Sequence, residues 1–543
     1  MKDKRDVIVI GAGPGGLVAG TKLQQNGLDV TIIEMCDKVG GLAQSWKNRQ
    51  KLKNGERTRA TMEIIHAILG MDKGGHTYKL LEDMGCDMEN IGRFEAAKKF
   101  GCLRTPHDSP LEVLNDIDSN RRYLLETFPE KTDDIDRLFD VLRRLNNQLV
   151  TDRQDKEWKK NLENFIEPRI DNPYLKLPFY LLTKPTLIRH HRKTFQEIIY
   201  TCTKDKDLHA WGSVLFGYDG LPNSRISGTM RSAMLLAYFN GGGPQAPAEH
   251  SYQAMFDEIA RTFVEVHGGE LRTLSRMEEI IVEDGAVKGI KYHDRKTKET
   301  KILYADRVII AGDMKKALLP LKEHLPKKYF RRLEEQEMSI SLMSVHAIVD
   351  MDLSRYKDEL SYAANVLASS RDASEIADGD NFPEHFVMYV SVPTILRPDA
   401  GLMRDDADNP TDRYHIVDIV MQSPSISTWN SARSISKKFY NGQKDQYAEM
   451  MLQITEDMLI PGLCGSVQYK EVYTAKTIER FCGCTDGAVY NFAATPKQFI
   501  PNRFSPQTPI KGLYLTGSTV MSAGVGGAFG GGEMTVRDIE KDK

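Results

Sequence analysis

Apolar runs broken by glycine stand near both ends of the chain, with a longer and more polar stretch between them. Asp6-Val-Ile-Val-Ile10 is short and β-branched, the pattern of a strand buried in a parallel sheet. It enters Gly11-Ala-Gly13-Pro-Gly-Gly16, after which Leu17, Gly20 and Leu23 recur on one helical face and Gly27 supplies a stop. A second strand, Val30–Ile33, is predicted to end at Glu34. Near the other end Leu513-Tyr-Leu515 predicts a strand, followed by Thr516-Gly517, Gly524-Val-Gly-Gly527 and a glycine triplet in a helix-forming end.

The interior carries other periods. Residues 251–266 read as an amphipathic helix through Met255, Ile259 and Phe263, closed by Gly268-Gly269. A strand over 270–274, a hairpin of 276–283 and 287–292 about Asp284-Gly285, and a strand within 304–313 follow. Residues 70–240 are largely helical in pattern, for example over 121–147 and 193–203. Between 336 and 470, the stretches 339–349, 386–392 and 415–421 alternate apolar and polar, which predicts an antiparallel sheet with one face buried. The expected class is α/β: a Rossmann-type nucleotide domain built from 1–69, 241–335 and 471–543. An α+β substrate domain is inserted as a helical, membrane-facing 70–240 and a sheet of 336–470.

The N-terminal pattern carries chemistry. Strand, glycines, helix, strand and acid in register form a dinucleotide-binding unit. Gly11 makes the tight turn, Gly13 lets the backbone approach a pyrophosphate, and Gly16 lets the helix pack on the strand. The helix N-terminus offers free N–H groups to phosphate, and Glu34 is placed to accept hydrogen bonds from ribose hydroxyls.

Composition narrows the picture. The 543 residues are 41% hydrophobic and 27% charged, as in globular proteins, and the net charge of −3 argues against a nucleic-acid partner. Seven dispersed cysteines fit a reducing compartment better than a disulfide framework. Cys482-Gly-Cys484 has no second Cys/His cluster beside it in sequence, so no metal is expected. No apolar run reaches the ~18–20 residues of a membrane span. The apolar start resembles a signal peptide, but Gly13-Pro-Gly-Gly16 would break its helix, so a cytoplasmic location is expected.

After Glu34 comes Cys36-Asp-Lys-Val-Gly40-Gly41, which resembles the FAD proteins of the glutathione-reductase and amine-oxidase type and makes FAD the expected cofactor. The N-terminal unit, Glu63-Ile-Ile-His66 with Leu80-Leu-Glu-Asp-Met-Gly85, the 251–313 segment and Val472 to Glu533 together resemble the phytoene desaturase, carotenoid isomerase and retinol saturase group. That resemblance implies adenine contact by the strand at Met277, with Gly312, Gly517 and Ser518 along the dinucleotide. It sets Gly524, Gly526 and Gly527 beneath the isoalloxazine ring. It further implies hydride exchange between flavin N5 and a long apolar unsaturated substrate, a polyene, retinoid or fatty-acid-like chain, by desaturation, saturation or isomerisation. The chain departs from the group's pattern at Leu42 (often Arg), Ser518 (often Asp), Ala523 (often Pro), Ala475 (often Pro) and Glu249-His-Ser251 (often Gly-Gly). The alternatives are an amine-oxidase-type flavoenzyme, and a non-enzymatic lipid binder like the GDP-dissociation inhibitors, which share this fold.

Candidate proton carriers are Glu63 with His66, on one face if that segment is helical, and Glu249 with His250. For each the plainer reading is a solvated or structural polar residue. Leu177-Pro-Phe-Tyr-Leu-Leu182, followed by Lys184, Arg189, His190, His191, Arg192 and Lys193, suits either a peripheral membrane contact or a core helix with a basic end. No sequence signature identifies an electron partner.

Overall fold

The computed structural model describes residues 4–64, 67–149, 183–214, 216–372, 379–396, 403–404, 413–499 and 502–542. The N-terminal β-branched run forms the strand Lys4–Ile10, flanked in parallel by Val30–Ile33 and by the far half of Glu299–Ile310. Both its faces are buried, as that composition demands. Val7 and Val9 pack with Leu17, Phe256 and Ile259, whereas Ile8 packs with Val308, Ile310 and Leu515. The near half of Glu299–Ile310 pairs antiparallel with the hairpin Ser275–Glu283/Ala286–Asp294, and Glu270–Arg272 extends the sheet beyond Val30–Ile33. The C-terminus returns as expected: Leu513–Leu515 pairs in parallel with Val308–Ile310. The C-terminal helix Gly524–Lys541 then crosses the first helix, Pro14–Gln25.

Close approach to neighbouring backbone explains two glycines of the triplet. A Cβ on Gly531 would stand 2.2 Å from the Gly517 carbonyl oxygen, and one on Gly532 would stand 2.9 Å from that of Gly15. The two helices meet backbone to backbone.

A second seven-stranded sheet runs in the order Val467–Tyr473, Leu342–Asp350, Tyr414–Gln422, Val387–Ser391, Tyr362–Ala368, Lys99–Arg104, Leu111–Val113. Two expectations change here. The 70–240 stretch is not simply helical: it donates the last two strands, which are too short to show a period of two, and Phe94–Ala96, which pairs with Gln245–Pro247. The sheet also buries both faces. Met343, Val345, Val417 and Ile419 pack on Trp429, Met451 and Leu452 of the helices Ile426–Ile435 and Lys437–Met458. Ala364, Val366 and Val420 point the other way, toward the helix Gly228–Asn240.

That helix is anchored from behind by Arg231, which like Asp219 is completely buried. Its guanidinium donates to both Asp219 carboxylate oxygens, to Asn223 Oδ1 (2.8 Å) and to the carbonyls of Gly212 (3.2 Å) and Leu221 (2.6 Å). Burial pushes the Asp219 carboxyl up to about 6 against the pull of the guanidinium. Arg231→Ala strands a buried carboxylate and is expected to cost about 3–5 kcal/mol in denaturant unfolding. The double substitution Arg231→Met with Asp219→Leu should cost less, because no charge is left behind.

Candidate functional site

The turn after the first strand opens a cavity of about 2980 Å³ that passes between the two sheets. At one end lie Glu34, Met35, Arg276 and Met277; in the middle Gly13, Pro14, Gly41, Leu42, Gly312 and Gly517; further on Asn491 and the segment Val520 to Ala528. Beyond these the walls are the helix Gly228–Asn240 and the second sheet. A pocket for one drug-sized ligand is roughly 300–1,000 Å³, so this space accommodates a dinucleotide and a second large molecule.

Two helix N-termini face the cavity. Pro14–Gln25 and Gly524–Lys541 both begin without a side-chain cap, leaving orphan N–H groups and partial positive charge for an anion. Gly11, at φ +104°, makes the turn before the first.

The glycines divide into two kinds. A Cβ on Gly13 would have no protein atom nearer than Gly41 Cα at 4.0 Å, and one on Gly312, Gly524 or Gly526 would have none within 4 Å. All four line the cavity; Gly524, at φ +82°, is glycine for its backbone, whereas at Gly13, Gly312 and Gly526 neither packing nor a positive φ calls for glycine, which leaves bare backbone open to a ligand. Gly41 and Gly517 also line it. Three further glycines have packing roles: Gly16, as its place in the motif implies, Gly527, which also lines the cavity, and Gly40. A Cβ would meet the Gly11 carbonyl oxygen at 2.1 Å from Gly16 and the Ser522 carbonyl oxygen at 2.2 Å from Gly527; from Gly40, which does not line the cavity, it would meet Phe256 at 3.1 Å. Gly15 packs tightly as well: its Cβ would lie 2.5 Å from Gly517 Cα, ahead of the C-terminal helix, and 3.0 Å from the Ala528 carbonyl oxygen within it.

Glu34 is buried and lines the cavity. Its carboxylate accepts the N–H of Ala12 (2.8 Å) and of Cys36 (2.9 Å), which use one lone pair on each oxygen and leave the others for a ligand hydroxyl. Burial pushes this carboxyl up, against the downward pull of those backbone N–H groups. The hairpin carrying Met277 is tied to it by Ser275 N–H donating to the Glu34 carbonyl at 2.7 Å. Ser518 lines the cavity, and its carbonyl accepts from Arg503, a half-buried cation with no sequence signature, whose partial desolvation pushes it down to about 10.

The expected proton carriers fare differently. Glu63 ends the strand Arg57–Glu63, not a helix turn; its Oε1 accepts the Tyr252 N–H (3.0 Å) at the start of the helix Tyr252–Arg261 and the Ser45 hydroxyl (3.4 Å). It is a buried cap outside the cavity lining. His66 lies outside the described residues. Glu249 and His250 are exposed, the former paired with Arg93 at 3.7 Å, the latter beside Gly92, and neither lines the cavity. The strand end and the loop thus place both carboxylates outside the cavity lining. His346, a residue of the second sheet not singled out from sequence, does line it.

Of the basic stretch, Lys184, His191 and Arg192 border the cavity, whereas His190 is buried with Nδ1 2.8 Å from the Thr186 carbonyl oxygen. Leu177 to Leu182 lie outside the described residues. Among the described residues no helix is long and apolar enough to cross a membrane, and no group of three or more His, Cys, Asp or Glu is placed to hold a metal.

Residues 9–84 match the family model of the NAD(P)-binding Rossmann-like domain. The chain is similar to the chloroplastic prolycopene isomerase of Daucus carota, 24% identical over 95% of this chain and 76% of that protein. It is similar as well to the lycopene-forming phytoene desaturase of a Paracoccus species, 21% identical over 99% of this chain and 98% of that one. The chain is an FAD-dependent oxidoreductase, similar over almost its whole length to proteins named prolycopene isomerase and phytoene desaturase. A solved oxidoreductase from Methanosarcina mazei has the same fold, with a TM-score of 0.59 at 16% identity over 99% of this chain and 100% of that one.

Proposed function

We propose that the chain holds FAD from Met277 and Glu34 to Gly524 and acts on a long apolar polyene bound in the remainder of the same cavity. The observation that carries this reading is the cavity itself: one continuous space joins the glycine cradle to a chamber walled by Met230, Met234, Tyr238 and Tyr389. On this reading the N–H groups opening Pro14–Gln25 and the backbone at Gly13, Gly312 and Gly517 hold the pyrophosphate, and Ser518 bonds the ribityl side. Glu34 receives the ribose hydroxyls, and the strand at Met277 borders adenine. Gly524 and Gly526, at the head of the C-terminal helix, leave room for a flat ring and direct the positive helix end toward it. Bound FAD supplies two-electron hydride exchange at N5.

The chain's own residues supply the substrate's surroundings. Half-buried Tyr218 and buried Tyr238 and Tyr389 present aromatic surface, and burial holds the Tyr218 and Tyr238 phenols well above their ordinary value, so they stay neutral. Such a wall suits conjugated hydrocarbon and gives a polar amine no compact charged cage. The carotenoid chemistry named for the relatives, isomerisation and desaturation, belongs to the same class of reaction. Lys184 and Arg192 at the border suit a mouth resting on an anionic lipid surface, where such a substrate dissolves.

Ala233→Trp tests the chamber, since Ala233 lines it on the helix Gly228–Asn240. The variant is expected to retain FAD but to weaken polyene binding at least about tenfold, ~1.4 kcal/mol, read from the change in flavin absorbance on titration. Unchanged polyene affinity with the indole in place would move the substrate out of this chamber.

A further inference from the structure

We infer that His346 is the proton carrier of the reaction, with Asp418 as the residue that positions it. The inference rests on the function proposed above and assigns the group that handles the proton there. His346 sits in the middle of the strand Leu342–Asp350, between Tyr414–Gln422 and Val467–Tyr473. In register it faces Asp418 on one neighbour and Glu471 on the other. Leu342, Ser344 and His346 fall on the sheet face that lines the cavity.

Its two ring nitrogens have different surroundings. Nδ1 is 2.7 Å from Asp418 Oδ1, in a pair whose side chains are 1% and 2% exposed. Nε2 is buried without a hydrogen-bond partner. Leaving a buried polar atom unpaired costs about 1–3 kcal/mol, so a purely structural histidine would be expected to satisfy it. The obvious neighbour is already engaged: Glu471 accepts from Trp46 Nε1 (3.1 Å), the Tyr469 hydroxyl (2.7 Å) and the Tyr473 hydroxyl (2.5 Å). Those hydrogen bonds hold the Glu471 carboxyl below its usual range, despite burial. Edge contacts from Trp46 (centroids 5.7 Å apart) and Tyr473 (5.5 Å) fix the imidazole ring. Trp46 also ties His346 to the cofactor cradle, because it follows within a few residues the cavity-lining Gly41 and Ala43.

The chemistry follows from that geometry. Asp418 accepts Nδ1–H, which leaves the Nε2 lone pair without a protein partner on a ring that borders the cavity, and stabilises the imidazolium once it forms. Converting a CH–CH unit into C=C breaks two C–H bonds and forms one π bond. One hydrogen leaves with its electron pair as hydride, accepted by the FAD of the proposed reaction, and the other leaves as a proton onto Nε2. In the hydrogenating direction the imidazolium returns that proton to carbon.

His346→Gln, which keeps bulk and polarity, and Asp418→Asn are the test variants, each examined as FAD-loaded full chain. Both should bind FAD and polyene as the parent does. Single-turnover rate should fall by about 10²–10⁴ in His346→Gln, and deuterium uptake from heavy water at the reacting carbon should fall with it. Histidine-selective nitrogen NMR of the substrate-free parent should report the Nδ1-protonated neutral tautomer for His346. Nε2 protonation in that spectrum, or a His346→Gln rate within threefold of the parent, would overturn the inference. If the parent ignores polyenes but turns over an amine, the polyene reading fails separately, and the same variants are then judged on the amine by the same two criteria.

Discussion

Gly13→Val is expected to give a folded, colourless protein. Gly13 lines the cavity, and apart from its chain neighbours an added Cβ would have only Gly41 Cα, at 4.0 Å, within 4 Å, so the sheet and helix are expected to stay in place. The added isopropyl group occupies instead the space through which the pyrophosphate must approach the backbone. Gly15→Val makes the contrast. Its Cβ would lie 2.5 Å from Gly517 Cα and 3.0 Å from the Ala528 carbonyl oxygen, both backbone, so the helix crossing itself must open. Circular dichroism and the visible spectrum separate the two: Gly13→Val keeps its fold and loses FAD, whereas Gly15→Val loses both. A Gly13→Val protein with full FAD content contradicts the cradle assignment.

Truncation before Leu513 is expected to remove the fold of the nucleotide sheet along with FAD. The cut deletes the partner of Val308–Ile310 and the helix packed on Pro14–Gln25. Leu513, Leu515, Phe529, Val536 and Ile539 are all buried, and full burial of such a side chain stabilises by about 1.5–3 kcal/mol. Together they match the whole net stability of an ordinary domain, about 5–15 kcal/mol. Soluble expression and FAD content after size exclusion check this. A truncated chain that elutes folded and yellow would make the C-terminal segment dispensable.

The two glycine-rich ends were legible because their signals are local. Turn, helix start and acid are fixed by spacing along the chain, and the β-branched runs beside them commit to strands. What sequence hid depends on distant partners. Glu63 precedes Ile64 and Ile65, an apolar pair that fits strand and helix equally, and only pairing of Arg57–Glu63 with Ser45–Lys51 makes it a strand end. The strands Lys99–Arg104 and Leu111–Val113 are too short to announce themselves among helices. The second sheet's alternation suggested a wet face because polar Ser344, His346 and Asp418 interrupt apolar neighbours, yet that face lines a cavity rather than bulk solvent. Asp418 and His346 meet across strands 72 positions apart, a distance no local pattern bridges. Glycine roles divide on the same principle: the motif names the glycines, and packing alone tells which face ligand and which face backbone.

The central claim is that FAD and an apolar polyene share one cavity and exchange hydride there. The direct measurement is anaerobic: oxidised and reduced forms of the FAD-loaded chain are each mixed with carotenoids, retinoids, unsaturated fatty acids and amines, and flavin absorbance and products are followed together. At least one polyene is expected to be desaturated, saturated or isomerised by one of the two forms, while amines leave the oxidised flavin unbleached. Bleaching by amines alone, with every lipid recovered unchanged from both forms, would contradict the central claim and assign the cavity to amine oxidation.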